Sequence, residues 1–264
     1  MPRLLGLCLV AILLGAPVLL HAEEAEKPVK FSFHSGVYAS YGDYGVNAHI
    51  TYVYLPLTLK YYATPRLTLN LIVPFLYQKN GTAATVEGVP VGVFPGIGAV
   101  RRGSSFGLGD VTASANYIFI EEKPNFPALS VYGAVKFPTG DRDRALGTGE
   151  FDGGGGLALR KYFGRNLVYG YAGYTVLGEP PGVDLNNFFS SGVGIARWVT
   201  PRFKPYLEFN FATRVTEVSK EYLSATLGFE YFFTKKISGT VYAQKGIIAG
   251  APDYAGGTTL NFYF

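Results

Sequence analysis

Only two histidines, His34 and His49, lie beyond the first 22 residues, and the one cysteine, Cys8, lies within them. A hydrolytic nucleophile needs a histidine within hydrogen-bond reach and a third group to orient the ring. No sequence motif places His34 or His49 in such a set. Their separation supplies no recognisable zinc spacing either. The glycine run Gly153 to Gly156 follows Asp152, but the Lys-Ser/Thr and helix of a phosphate-cradling loop are missing. Catalytic, cofactor and metal sites are therefore not expected. The remaining chemistry lies in polar groups set at alternate positions of apolar segments: Lys60, Asp110, Asn116, Lys136, Arg160, Glu208, Arg214 and Glu230. These are the candidate lining residues of a lumen. Both signs of charge occur among them, so a strongly anion- or cation-selective pore is not expected. They could line a narrow wet path, or satisfy one another across an interior filled with side chains.

Such groups need a wall that alternates. Residues 203–213 show it most cleanly, with Phe203, Pro205, Leu207, Phe209 and Phe211 on one face and Lys204, Tyr206, Glu208 and Asn210 on the other. The same period of two recurs in segments beginning near Leu67, Val111, Leu129, Leu223 and Ile237. A one-residue slip would place charge on the apolar face, so the register is well specified. The segments predict twelve strands, at 31–41, 47–62, 67–78, 106–120, 128–138, 151–163, 167–177, 187–199, 204–214, 222–233, 237–246 and 255–264. Short turns alternate with generally longer connections, and both chain ends fall on the short-turn side. That asymmetry predicts an all-β, antiparallel up-and-down transmembrane barrel of about twelve strands in a bacterial outer membrane. His34 then faces the lumen and His49 lies near the outer rim.

The chain stops inside a strand, on Phe264. Thr258, Leu260 and Phe262 share one face of that strand, and Thr259, Asn261 and Tyr263 the other. An unpaired final edge is a liability, whereas a closed barrel pairs its last strand with its first. A terminal Phe resembles the signal read by the outer-membrane assembly machinery, which makes that machinery an expected partner alongside outer-membrane lipid. At the other end, Arg3, the apolar stretch Leu4 to Leu20 and Leu20-His21-Ala22 have the form of a secretory signal over residues 1–22. Residues 23–264 form one barrel domain without cysteine, which excludes disulfides and thiolate chemistry.

The chain has 20 Tyr, 20 Phe and 34 Gly, and its formal charge of +4 falls to +3 once Arg3 leaves with the signal. So small a bias argues against a nucleic-acid partner. Most of the aromatics nearest the short turns, Tyr61, Tyr62, Phe119, Tyr162, Phe163, Trp198, Phe232 and Phe233, fit an interfacial girdle, the alternative being that some are ordinary strand aromatics. The long, weakly charged loop 79–105 could fold inward as a constriction or stay an outer loop. The glycine run is expected to permit curvature or the close approach of a neighbouring side chain, with a lateral opening as a bolder reading.

Three segments carry a family resemblance: Phe106-Gly107-Leu108-Gly109-Asp110-Val111, Lys136-Phe137-Pro138-Thr139-Gly140-Asp141, and Leu146-Gly147-Thr148-Gly149 leading to Asp152. Their order and spacing resemble the outer-membrane transporter family named for the MetA-pathway of phenol degradation. The resemblance implies passive passage of small, hydrophobic or aromatic molecules, and marks Asp110, Lys136 and Asp141. Asp141 could gate the mouth or belong to a solvated charge cluster with Arg142, Asp143 and Arg144. Two further readings stay open. One is a closed-lumen structural or adhesive barrel acting through its outer loops. The other is a lipid-modifying enzyme, although the His-Ser pattern of twelve-stranded outer-membrane phospholipases is absent.

Overall fold

The computed structural model describes residues 29–42, 50–79, 83–86, 89–93, 103–182, 184–217, 219–248 and 250–264. The proposed signal segment and His49 lie outside the described residues. The strands are β1 (Phe31–Gly42), β2 (Ile50–Tyr62), β3 (Leu67–Lys79), β4 (Ala83–Val86), β5 (Val89–Val93), β6 (Ser104–Leu108), β7 (Val111–Ile120), β8 (Ala128–Phe137), β9 (Asp152–Phe163), β10 (Asn166–Val176), β11 (Phe188–Arg197), β12 (Phe203–Ala212), β13 (Tyr222–Thr234), β14 (Ile237–Gly246) and β15 (Tyr254–Tyr263). Every wall strand pairs antiparallel with its sequence neighbour, and β15 closes on β1. Both β6 and β7 pair with β3, so together they make one wall strand, and the closed barrel has twelve. The short strands β4 and β5 form a separate hairpin within 79–105. The rest of that segment, where an inward constriction was considered, lies largely outside the described residues.

The seam is complete to the last residue. Phe264 donates its N–H to Phe31 O at 2.9 Å, and its carbonyl accepts from Lys30 N at 2.9 Å. Closure satisfies the final strand's backbone, which is what a membrane interior demands. Alternate side chains point outward and are apolar: Leu227 is 64% exposed, Leu157 59% and Val193 55%. A largely apolar exterior of this kind suits lipid rather than water. No helix among the described residues is long and apolar enough to cross a membrane.

The inward face is built from tyrosine laid over glycine. A Cβ added at Gly156 or Gly173 would collide with the Tyr132 hydroxyl, one at Gly192 with the Tyr171 ring, and one at Gly194 with the Tyr169 ring. Gly228 likewise makes room for Tyr206 and Tyr242. The glycine run of β9 thus admits a neighbouring tyrosine. Its ladders to β8 and β10 are continuous through Gly153, Gly154, Gly155 and Gly156, so the backbone shows no lateral opening there.

Two expectations about elements need correction. The strand expected at 106–120 is interrupted at Gly109-Asp110. Pairing moves from Phe75↔Leu108 to Ile72↔Thr112, which inserts one extra residue on the β6–β7 side. Pro74, facing the break, has no N–H to give, and its carbonyl accepts from Gly109 N at 2.9 Å. The aromatic girdle is also differently composed. Tyr61, Phe119, Phe163 and Phe233 are exposed on the outside, where Phe31 stacks on Tyr61 at 4.9 Å. Tyr62 instead reaches inward to Ser32. Trp198 packs 5.4 Å from Phe232, and Lys204 Nζ lies 5.0 Å from the Trp198 ring.

Candidate functional site

The bulge at Gly109 turns Asp110 into the barrel, where it is fully buried. Lys136, near the end of β8, and Asp152, the first residue of β9, are buried with it. Lys136 Nζ forms ion pairs with Asp110 Oδ2 at 3.1 Å and Asp152 Oδ2 at 2.6 Å, and donates to Thr148 Oγ1 at 2.6 Å. Two carboxylates and a hydroxyl thus surround the ammonium. Asp110 Oδ1 accepts from Gly140 N at 2.9 Å, and Asp110 Oδ2 from Thr148 N at 3.3 Å. Asp152 Oδ1 accepts from Gly178 N at 2.9 Å. A buried charge persists only where such partners surround it.

Every partner from residues 139–148 belongs to the β8–β9 connection, so the cluster draws that loop into the barrel mouth. Thr139 Oγ1 adds a stitch, donating to Gly109 O at 3.0 Å and accepting from Val111 N at 2.9 Å. Leu146 is 1% exposed and packs among Tyr38, Tyr52, Tyr54 and Leu76 of β1, β2 and β3. Gln78 Nε2 donates to Ala145 O at 2.8 Å, and an Arg144 guanidinium nitrogen to Phe106 O at 2.6 Å. The glycines are fixed by crowding: a Cβ on Gly147 would strike Asp110 Oδ1, one on Gly140 Leu146 O, and one on Gly107 Leu146 Cδ1. Asp141 is exposed in this loop. Its Oδ1 accepts from Arg144 N at 3.1 Å and shapes the loop's turn. The three motif segments of the sequence therefore form one clasp.

The other candidate residues are spread along the wall. Lys60 is buried opposite Ser32 near the short-turn end. Asn116 is half-buried on β7, opposite Tyr132. Glu208 accepts from the Tyr169 hydroxyl at 3.0 Å and from Asn210 Nδ2 at 2.6 Å. Glu230 pairs with Lys204 at 2.7 Å. Arg160 is half-buried on the inward face of β9. Arg214 departs from expectation: β12 stops at Ala212, and Arg214 sits exposed in the following loop, 3.3 Å from Glu217.

His34 is better connected than its sequence setting suggested. Its Nε2 accepts from Ser32 Oγ at 2.8 Å, and its Nδ1 donates to Asn261 Oδ1 at 2.7 Å. Asn261 Nδ2 donates to Ser238 Oγ at 3.0 Å, and Ser238 Oγ donates to Glu230 Oε1 at 2.9 Å. The Ser-His-Asn order has the form of a nucleophile, base and orienter. Barrel closure creates it by setting Asn261 of β15 opposite His34 of β1, which no local spacing could reveal. Ser32 is wholly buried, however, so no acyl group can approach its hydroxyl in this conformation. Among the described residues, no cluster of three or more metal-ligating side chains is present.

A closed twelve-stranded barrel with an apolar exterior, a polar and tyrosine-rich interior and a clasped loop belongs to the outer-membrane barrel class. Within that class, the chain belongs to the family described as MetA-pathway of phenol degradation, whose model matches residues 40–264. An outer membrane channel from Pseudomonas putida F1 has a similar fold, with a TM-score of 0.71 and 17% identity over 92% of this chain and 100% of that one. The NanC porin is similar at a TM-score of 0.57 and 7% identity, over 89% of this chain and 100% of that one. No curated protein matches the sequence.

Proposed function

We propose that this protein is a passive outer-membrane channel for small molecules, with the loop between β8 and β9 setting its bore at the mouth. The observation that carries this reading is the inward-folded loop itself, held by a buried ion cluster inside a closed barrel. A purely structural barrel could fill its interior from the wall alone. The tyrosine-rich lining and the family's name favour small aromatic or hydrophobic solutes. No energy coupling is proposed. Phe264, with its backbone already committed to the seam, is offered as the contact for the assembly machinery.

Planar-bilayer recording of the refolded protein tests passage. Discrete steps that change size in Asp110→Ala and Lys136→Ala support the channel. A silent bilayer, with the folded barrel verified by heat-modifiable gel mobility, would overturn it. The geometry of Ser32, His34 and Asn261 favours one second reading, a serine hydrolase. A fluorophosphonate probe on the folded barrel decides it: burial of Ser32 predicts no label, and labelling abolished by Ser32→Ala would restore the enzyme.

A further inference from the structure

One row of wall residues at the long-connection end departs from the apolar exterior. Cross-strand pairing sets Lys245, Tyr254, Tyr41, Thr51, Lys79 and Ser104 side by side on β14, β15, β1, β2, β3 and β6. Each is the last or next-to-last residue at that end of its strand. Their strand neighbours Gln244, Ser40, Tyr52 and Gln78 are buried, so alternation turns the row outward. Lys245, Tyr254, Tyr41, Lys79 and Ser104 are exposed. Lys245 Nζ lies 4.0 Å from the centroid of the Tyr254 ring. Neither lysine pairs with a carboxylate among the described residues, and the row contains no acidic residue. Around β8 to β11 the outward wall residues at the same end include Phe137, Tyr174, Val176 and Phe189 and no charged side chain. The cations are thus confined to one sector of the rim.

We propose that this row is a docking surface for a phosphorylated glycolipid of the outer leaflet. Residues that face outward at the long-loop rim of an outer-membrane barrel meet lipid headgroups, which fixes the general class of occupant. Charge narrows it. A lysine ammonium takes phosphate oxygens as a point charge, and each basic group at an anionic lipid surface strengthens attachment. The two tyrosines between the lysines place aromatic rings and hydroxyls at headgroup depth, and the Tyr254 ring holds the Lys245 cation against the wall. Neighbouring strands lie about 4.8 Å apart, so four spacings set the two lysine Cα atoms at most about 19 Å apart along the wall. Their long side chains can close on one headgroup that carries a phosphate at each end of a disaccharide. A diacyl lipid with a single phosphate engages one lysine at a time. The inference stands on the outer-membrane location and does not need the channel reading.

The experiment is native mass spectrometry of the full mature barrel refolded in non-ionic detergent and titrated with bisphosphorylated lipid A. Monophosphorylated lipid A and phosphatidylglycerol serve as comparison probes. Wild type should bind the bisphosphorylated form about fivefold more tightly than the monophosphorylated form, the worth of one lysine at an anionic lipid surface. Lys79→Gln and Lys245→Gln should each erase that preference, and the double variant should bind both glycolipids more weakly. Lys235→Gln, in the short turn after β13, should change nothing. Folding of each variant is checked by heat-modifiable mobility. Equal binding of the two glycolipids by wild type, or a preference that survives in the double variant, would overturn the docking surface. Phosphatidylglycerol bound as tightly as bisphosphorylated lipid A would overturn the glycolipid assignment and leave an unselective basic rim.

Discussion

Lys136 is the residue on which the clasp depends, because its ammonium alone bridges two buried carboxylates and the loop hydroxyl of Thr148. Removing it leaves Asp110 and Asp152 buried without a counter-charge. Lys136→Ala should therefore cost about 3–5 kcal/mol, the usual penalty for breaking a buried pair, measured by urea unfolding in a folded-barrel assay. A loss under about 1 kcal/mol, the scale of a surface pair, would mean that the cluster is solvated. Alternation in the sequence already put Asp110 and Lys136 on the inward face. It could not show that Gly140, Thr148 and Asp152 complete their coordination, because partners supplied by an irregular loop leave no period to read. Arg214 was misplaced for the converse reason: the alternating phase runs on past Ala212, where the backbone pairing stops.

Among the elements, the wall strands were legible because a lipid-facing side and a polar side alternate over ten or more residues in most of them. The break between β6 and β7 was not: it flips the phase, with Phe106 and Leu108 exposed before it and Tyr117 and Phe119 after it, but the run ahead of it is too short to set a phase of its own. The glycines of β9 were open to three readings, curvature, close approach of a side chain or a lateral opening, and the structure favours close approach of Tyr132. The Tyr132 hydroxyl covers both Gly156 of β9 and Gly173 of β10, so a double-mutant cycle at Gly173 checks this. Gly173→Ala should destabilise the barrel in the presence of Tyr132, by about 1–3 kcal/mol as overpacking does, and much less when combined with Tyr132→Ala. Strict additivity of the two changes would show that the ring does not occupy that window. The inward turn of Tyr62 marks the limit of reading a girdle from composition near strand ends, where adjacent aromatics necessarily face opposite sides.

At the scale of the molecule, closure decides which distant residues meet. The β1–β15 seam joins His34 to Asn261 and ends on Phe264, whose side chain is free on the outside while its backbone is bonded to Lys30 and Phe31. Phe264→Ala should lower the amount of barrel assembled in the outer membrane while leaving refolding in detergent nearly intact. Equal loss in both settings would make the residue merely structural. Closure also turns the clasped loop into a device with a mouth to restrict, which is the central claim. The most direct measurement is single-channel conductance of wild type beside a variant in which residues 141–146 are replaced by a short glycine linker. The loop-bounded channel predicts steps in both and larger steps in the variant. Folded barrels of both kinds with identical conductance, or with none, would contradict it.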